Sequence, residues 1–154
     1  MRIAFASDHA AVALKAVLAD WARSQGHDVT DLGPYDETSV DYPDYGYRLA
    51  THIADGKADR GVAICGSGIG ISIAVNRNPA CRCALVSDNL SARLSREHND
   101  ANVIAFGARL IGVDTARDCL AAFLDTPFGA NDVTGRHAGR VEKLGHPEIA
   151  KEHA

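Results

Sequence analysis

One alternation limits what this chain can fold into. Short apolar runs at 2–7 (RIAFAS), 27–32 (HDVTDL), 60–65 (RGVAIC), 82–87 (RCALVS) and 102–107 (NVIAFG) are each followed by a helix-periodic stretch. The helices are expected at 10–26, 43–57, 68–76, 88–99 and 113–126. In the first of them Val12, Leu14, Val17, Leu18 and Trp21 recur near helical spacing, and Gly26 stops it. Strands that read as near-continuous apolar runs are covered on both faces, as parallel strands joined by crossover helices are. The expected fold is therefore α/β: a Rossmann-like three-layer α/β/α sandwich with a five-stranded parallel sheet. With 154 residues, no internal repeat and no low-complexity linker, residues 1–154 read as a single domain. Ligands of such sheets bind beyond the carboxyl ends of the strands. Those ends are Ser7-Asp8-His9, Cys65 to Gly70, Ser87-Asp88 and Phe106-Gly107.

Charge and composition narrow the ligand. The net charge of −4 offers no basic excess to neutralise a nucleic-acid backbone, so no nucleic-acid partner is expected. No apolar run approaches the roughly 18 residues of a membrane span, and the first apolar run stops at Asp8. No membrane partner and a cytoplasmic location follow as expectations. The four cysteines, Cys65, Cys81, Cys83 and Cys119, read as free thiols. Cys81-x-Cys83 has no second cysteine pair with which to build a zinc site, and on a strand its two thiols would pack side by side as small hydrophobes. No metal is expected.

The stretch ICGSGIG at 64–70 carries the densest chemistry. Gly66, Gly68 and Gly70, with Ser67 among them, follow a strand and open a helix. Such a turn lets a ligand approach the backbone closely, and unpaired N–H groups with a positive dipole end then face it. It is not a dinucleotide fingerprint, because Ile71 stands where the third glycine belongs, and no Lys-Ser/Thr follows to make a P-loop. The plain alternative is a tight strand–helix turn with no ligand. Cys65 heads it. A free thiol is mostly protonated at neutral pH, and a helix start favours the thiolate. A C-x5-R phosphatase would need arginine at Ile71, so a nucleophilic phosphatase does not fit; a buried structural thiol remains the plain alternative.

Other candidates are weaker singly. His98 and Asn99 stand at the end of the fourth helix, where His98 could exchange protons near neutral pH or simply face solvent. Asp8 and His9 close the first strand, where Asp8 could also cap a helix. Arg109 follows the fifth strand. Arg136 and Arg140, four apart, would share one face if they lay on a helix, and could clamp a phosphate or merely be solvated. A thiol, a histidine, an oxyanion-type turn and several arginines together suit a small phosphorylated substrate with a carbonyl.

The motifs ASDHA, DYP (41–43), ICGSGIGISIAVNR, SREHNDANVIAFGAR and GRHAGRVE resemble those of the sugar-phosphate isomerase family that holds ribose-5-phosphate isomerase B and galactose-6-phosphate isomerase. The resemblance runs to about residue 142. It implies an aldose–ketose isomerase without metal or cofactor, interconverting ribose 5-phosphate and ribulose 5-phosphate through an enediolate. It assigns Cys65 as the base, His98 as the ring-opening acid, and Ser67 with Gly66, Gly68 and Gly70 as the oxyanion turn. It assigns Asp8, His9, Tyr42 and Asn99 as substrate contacts, and Arg109, Arg136 and Arg140 as phosphate ligands. One branch of the family carries a glutamate base where this chain has Gly70, which places the chain with the cysteine branch. The resemblance further implies a homodimer or a tetramer with active sites shared between subunits; segment 127–154 is expected to pack on the partner subunit. Two alternatives stay open: an isomerase of allose or galactose 6-phosphate, and a non-catalytic sugar-phosphate-binding module, which would need the turn and the arginines but neither Cys65 nor His98.

Overall fold

The computed structural model describes residues 1–129 and 131–146. Among them five strands form one parallel sheet: β1 (Arg2–Ser7), β2 (Asp28–Asp31), β3 (Arg60–Cys65), β4 (Cys83–Leu85) and β5 (Val103–Gly107), in the order β2-β1-β3-β5-β4. The helices are α1 (Val12–Ser24), α2 (Tyr42–Ala54), α3 (Ile69–Val75), α4 (Asn89–Asn99), α5 (Val113–Asp125) and α6 (Arg136–Leu144). The chain first leaves β1 in one direction, to β2, and then in the other, to β3. The switch point of the sheet thus lies between the carboxyl ends of β1 and β3, where a ligand crevice is expected.

The two faces of the sheet are unlike. Ile3, Phe5, Val62, Ile64, Ile104 and Phe106 point to one side, into a core with α1, α4 and α5. Ala4, Ala6, Ala63, Cys65 and Ala105 point to the other, where α2 and α3 lie. The period-2 alternation of the strands sorts large from small. At about 1.5–3 kcal/mol for each large side chain buried, the bulky face carries most of the hydrophobic stabilisation. The small face lets helices come close. A Cβ on Gly46 of α2 would stand 2.8 Å from the Ala74 methyl of α3, closer than carbon atoms pack, so only glycine fits there.

The structure departs from the sequence-based expectations at several ends. The first helix begins with a 3₁₀ turn, His9–Ala11, because the Asp8 carboxylate accepts the Ala10 N–H (3.0 Å). β4 is only three residues long; Arg82, expected to be part of it, is held outside by Asn102 and Asp100. Cys81 also precedes that strand, yet it and Cys83 both reach the small-residue core, where burial pushes the Cys81 thiol up to about 11 and the Cys83 thiol higher still. Among the described residues no cluster of three His, Cys, Asp or Glu could hold a metal. α6 was not expected as an element, because its length is mostly polar; it packs on α4.

A buried ion pair anchors the loop that follows β2. Lys15 of α1 is 1% exposed, and its ammonium pairs with Asp31 and donates to the Pro34 carbonyl (2.8 Å). Asp31 also accepts the Gly33 N–H (2.8 Å), and the Gly33 carbonyl accepts the Ser7 N–H (3.1 Å). Asp31→Ala leaves an ammonium buried with one carbonyl partner. The expected loss, read from the shift of the urea midpoint, is about 3 kcal/mol, and replacing Lys15 by Met in the same chain should restore most of it.

Candidate active site

Every strand of the sheet points the same way, so the candidate residues sort by the edge on which they lie. At the carboxyl edge, Cys65 ends β3 and is 4% exposed. Its Sγ accepts the Gly68 N–H at 3.1 Å, a bond that a thiolate accepts more strongly than a thiol. Gly68 has φ 76, the left-handed conformation that lets the chain turn from strand into α3. A Cβ on it would also meet the Gly107 amide at 2.9 Å. Gly107, the last residue of β5, has its own constraint: a Cβ there would lie 2.5 Å from the Ser67 carbonyl oxygen. The turn is therefore seated directly on the end of β5, and Arg109 fastens it by donating its N–H to the Gly66 carbonyl (3.0 Å). The Arg109 guanidinium rests against Gly66, within 3.3 Å of where a Cβ would stand.

The neighbouring strand end completes this half. Asp8 is buried after β1, and its N–H is bound by the Ile64 carbonyl (3.0 Å), which fixes it beside the end of β3. His9 Nδ1 lies 3.2 Å from both the N–H and the carbonyl oxygen of Val40, so the loop anchored by Lys15 also orients this imidazole. Tyr42 opens α2, and its ring covers Gly70, where a Cβ would fall 2.5 Å from the ring. Asp8, His9, Tyr42, Cys65, the turn Gly66 to Gly70 and Arg109 are thus gathered on one edge.

His98 and Asn99 are not there. They end α4, which runs back from the carboxyl edge and hands over to the start of β5, so they lie at the amino edge. Six residues at about 3.3 Å each make β3 about 20 Å long, and that is the order of the distance between the two edges. Arg136 and Arg140 are on the same side as His98. α6 seats the buried His137 against His98, with ring centroids 4.3 Å apart and planes 13° from parallel. Arg136 and Arg140, one turn apart, stay exposed. Asp132 holds the start of this helix by accepting the N–H of His137 (2.6 Å) and both the N–H and the hydroxyl of Thr134.

One chain therefore carries its candidate residues in two separate groups: a cysteine with its turn on one edge, and a histidine with two arginines on the other. His137 was missed in the sequence reading. Its signal lay inside GRHAGR, between the two arginines and beside them on a helix whose existence the polar composition concealed. Gly107 was read only as a strand end.

The fold is thus a parallel α/β sheet with a cysteine-headed glycine turn at its switch point. The Ribose/Galactose Isomerase family matches residues 3–144, and the chain belongs to it. It is 41% identical over 143 residues to ribose-5-phosphate isomerase B of Escherichia coli, covering 93% of each chain. It is also 41% identical over 155 residues to the D-erythrulose-4-phosphate isomerase of Pectobacterium atrosepticum, covering 99% of each. The structure of ribose-5-phosphate isomerase B from Clostridium thermocellum superposes with a TM-score of 0.92 at 44% identity, over 96% of this chain and 97% of that one.

The cap on α6 is pH-dependent. Hydrogen bonds, first that from the His137 N–H and then those from Thr134, pull the Asp132 carboxyl down to about 2 against the opposing effect of burial. A carboxyl depressed on folding stabilises in full above its ordinary value of 3.8 and stops doing so as pH falls through about 2. Hydrogen exchange over 131–146 should keep its protection down to pH near 4 and lose it between there and 2, whereas Asp132→Ala should lose it already at neutral pH.

Proposed function

We propose that this chain is an aldose–ketose isomerase that interconverts ribose 5-phosphate and ribulose 5-phosphate with Cys65 as its base. The observation that carries this reading is the Cys65 sulfur at the mouth of the turn, hydrogen-bonded by Gly68 and set at the switch point of the sheet. A binder of sugar phosphates has no use for a thiol there.

The furanose opens as His98 gives a proton to the ring oxygen and solvent water takes one from the anomeric hydroxyl, which frees the C1 aldehyde. The Cys65 thiolate takes the C2 proton, and the electron pair moves through C1 onto O1 as an enediolate. The N–H groups of the turn and the Ser67 hydroxyl face that oxygen; one such donor contributes about 2.7–4 kcal/mol. The proton of the C2 hydroxyl passes to O1 as the thiol returns its own to C1; the carbonyl is now at C2, the thiolate is regenerated, and the ketose results with no net gain or loss of atoms. Arg109, Arg136 and Arg140 take the phosphate, which is remote from C1 and C2 and so supplies orientation without joining the chemistry. Asp8, His9, Tyr42 and Asn99 hold the hydroxyls.

The separation of the half-sites supports a homodimer in which Cys65 of one protomer works with His98, Asn99, Arg136 and Arg140 of the other. The reaction asks for no metal or cofactor and fits a cytoplasmic enzyme of pentose phosphate metabolism; among the described residues no helix is long and apolar enough to cross a membrane.

Cys65→Ala should lower kcat by about 10²–10⁴-fold while phosphate-sugar binding persists, and should abolish solvent-deuterium exchange at C2. A variant that keeps near-normal kcat sinks the base assignment. Comparing kcat/KM across tetrose 4-, pentose 5- and hexose 6-phosphates separates ribose 5-phosphate from the tetrose phosphate of the Pectobacterium relative and from hexose substrates.

Mixing tests the shared site. Subunits carrying Cys65→Ala, refolded together with subunits carrying His98→Asn, form heterodimers with one intact and one doubly altered site. An equal mixture should regain about a quarter of wild-type activity, whereas sites built within one chain would regain none.

A further inference from the structure

Proton transfer to a ring oxygen requires an imidazole whose nitrogen is aimed, and His98 stands at the last turn of α4, where backbone support ends. The structure supplies that support from outside the helix. His137 is 7% exposed, the one buried residue of α6, and its ring lies almost parallel to that of His98 at 4.3 Å. Its backbone is fixed too, through the 2.6 Å bond from its N–H to Asp132. The loop leading to it is tied to the residue beside His98: the Gly129 N–H donates to the Glu97 carbonyl (2.9 Å), and the Asn131 amide donates to the Glu97 carboxylate. Arg136 and Arg140 flank this buried ring on the helix, so the position of its ring sets theirs.

We propose that His137 is a positioning residue, which holds the imidazole plane of His98 for ring opening and sets the phosphate-binding arginines at a fixed distance from it. The proposal rests on the ring-opening role given to His98 and adds a residue that touches neither the substrate nor the reacting atoms. A flat aromatic face is what the geometry requires. A side chain that fills the same space without that face should keep the fold and lose the aim.

Two variants separate the two properties, His137→Phe and His137→Leu. Each is assayed on ribose 5-phosphate and on its 4-deoxy analogue, which lacks the hydroxyl that closes the furanose and is therefore permanently open. His137→Leu should lower kcat on ribose 5-phosphate by about tenfold to a hundredfold and leave kcat on the open analogue within about threefold, with KM raised on both. His137→Phe should stay within about threefold of wild type on both substrates. The His98 ring-proton shifts should move in the Leu variant, which lacks a ring current, and stay close to wild type in the Phe variant. Equal losses of kcat on the two substrates, no loss on either, or a Phe variant as impaired as the Leu variant would each overturn the proposal. His98→Asn, run alongside, tells the failures apart. If it too hurts both substrates equally, the ring-opening role itself is wrong; if it spares the open analogue while His137→Leu does not, only the role of His137 is wrong.

Discussion

The polarity of the parallel sheet governs everything else in this molecule. With all five strands pointing one way, each segment that follows a strand emerges at one edge and each segment that ends a helix arrives at the other. Cys65, Asp8 and Arg109 are of the first kind, and His98 and Asn99 of the second. No loop adjustment within one chain brings them together, because the strands themselves are the spacer between them. The separation is a topological constraint, which the proposed homodimer, with a second copy of the chain brought up the other way round, would satisfy.

The unequal faces of the sheet explain why the thiol sits where it does. The bulky face is committed to the core with α1, α4 and α5. The alanine-rich face leaves room for α3 to start immediately after Cys65 and still pack against α2. Cys65 occupies a small-residue position of β3, so sequence alternation and site chemistry ask for the same kind of side chain there. The Gly68 N–H reaches the sulfur from a turn that lies close against the end of β5.

The fold was legible because its signal is repeated five times over, and a run such as RGVAIC has few other readings. The carboxyl-edge half of the site was legible for the same reason: once the strands are placed, their ends are placed. Boundaries failed where side chains compete with the backbone, as Asp8 does at the 3₁₀ turn and as Asn102 and Asp100 do around Arg82. α6 failed because only one of its nine residues is buried, which leaves almost no apolar pattern to read. What makes it a helix against this protein is a ring stacked on another ring and an aspartate at its start. Neither contact is written in hydrophobic periodicity. The expectation for 127–154 therefore divides: 136–144 packs on α4 of its own chain and presents its arginines outward, while 147–154 lies outside the described residues.

Gly107 shows how far such demands can travel. Its backbone is that of an ordinary strand, so nothing local requires glycine, and alanine would suit β5 as well as it suits the positions before it. The requirement comes from the carbonyl of Ser67, which occupies the space a methyl group would need. A side chain there would press on the turn: the main chain of Ser67, and with it the neighbouring amide that faces the sulfur, would have to shift. Tolerance at this position is thus decided by a stretch of main chain forty residues away in sequence, and not by the strand to which Gly107 belongs.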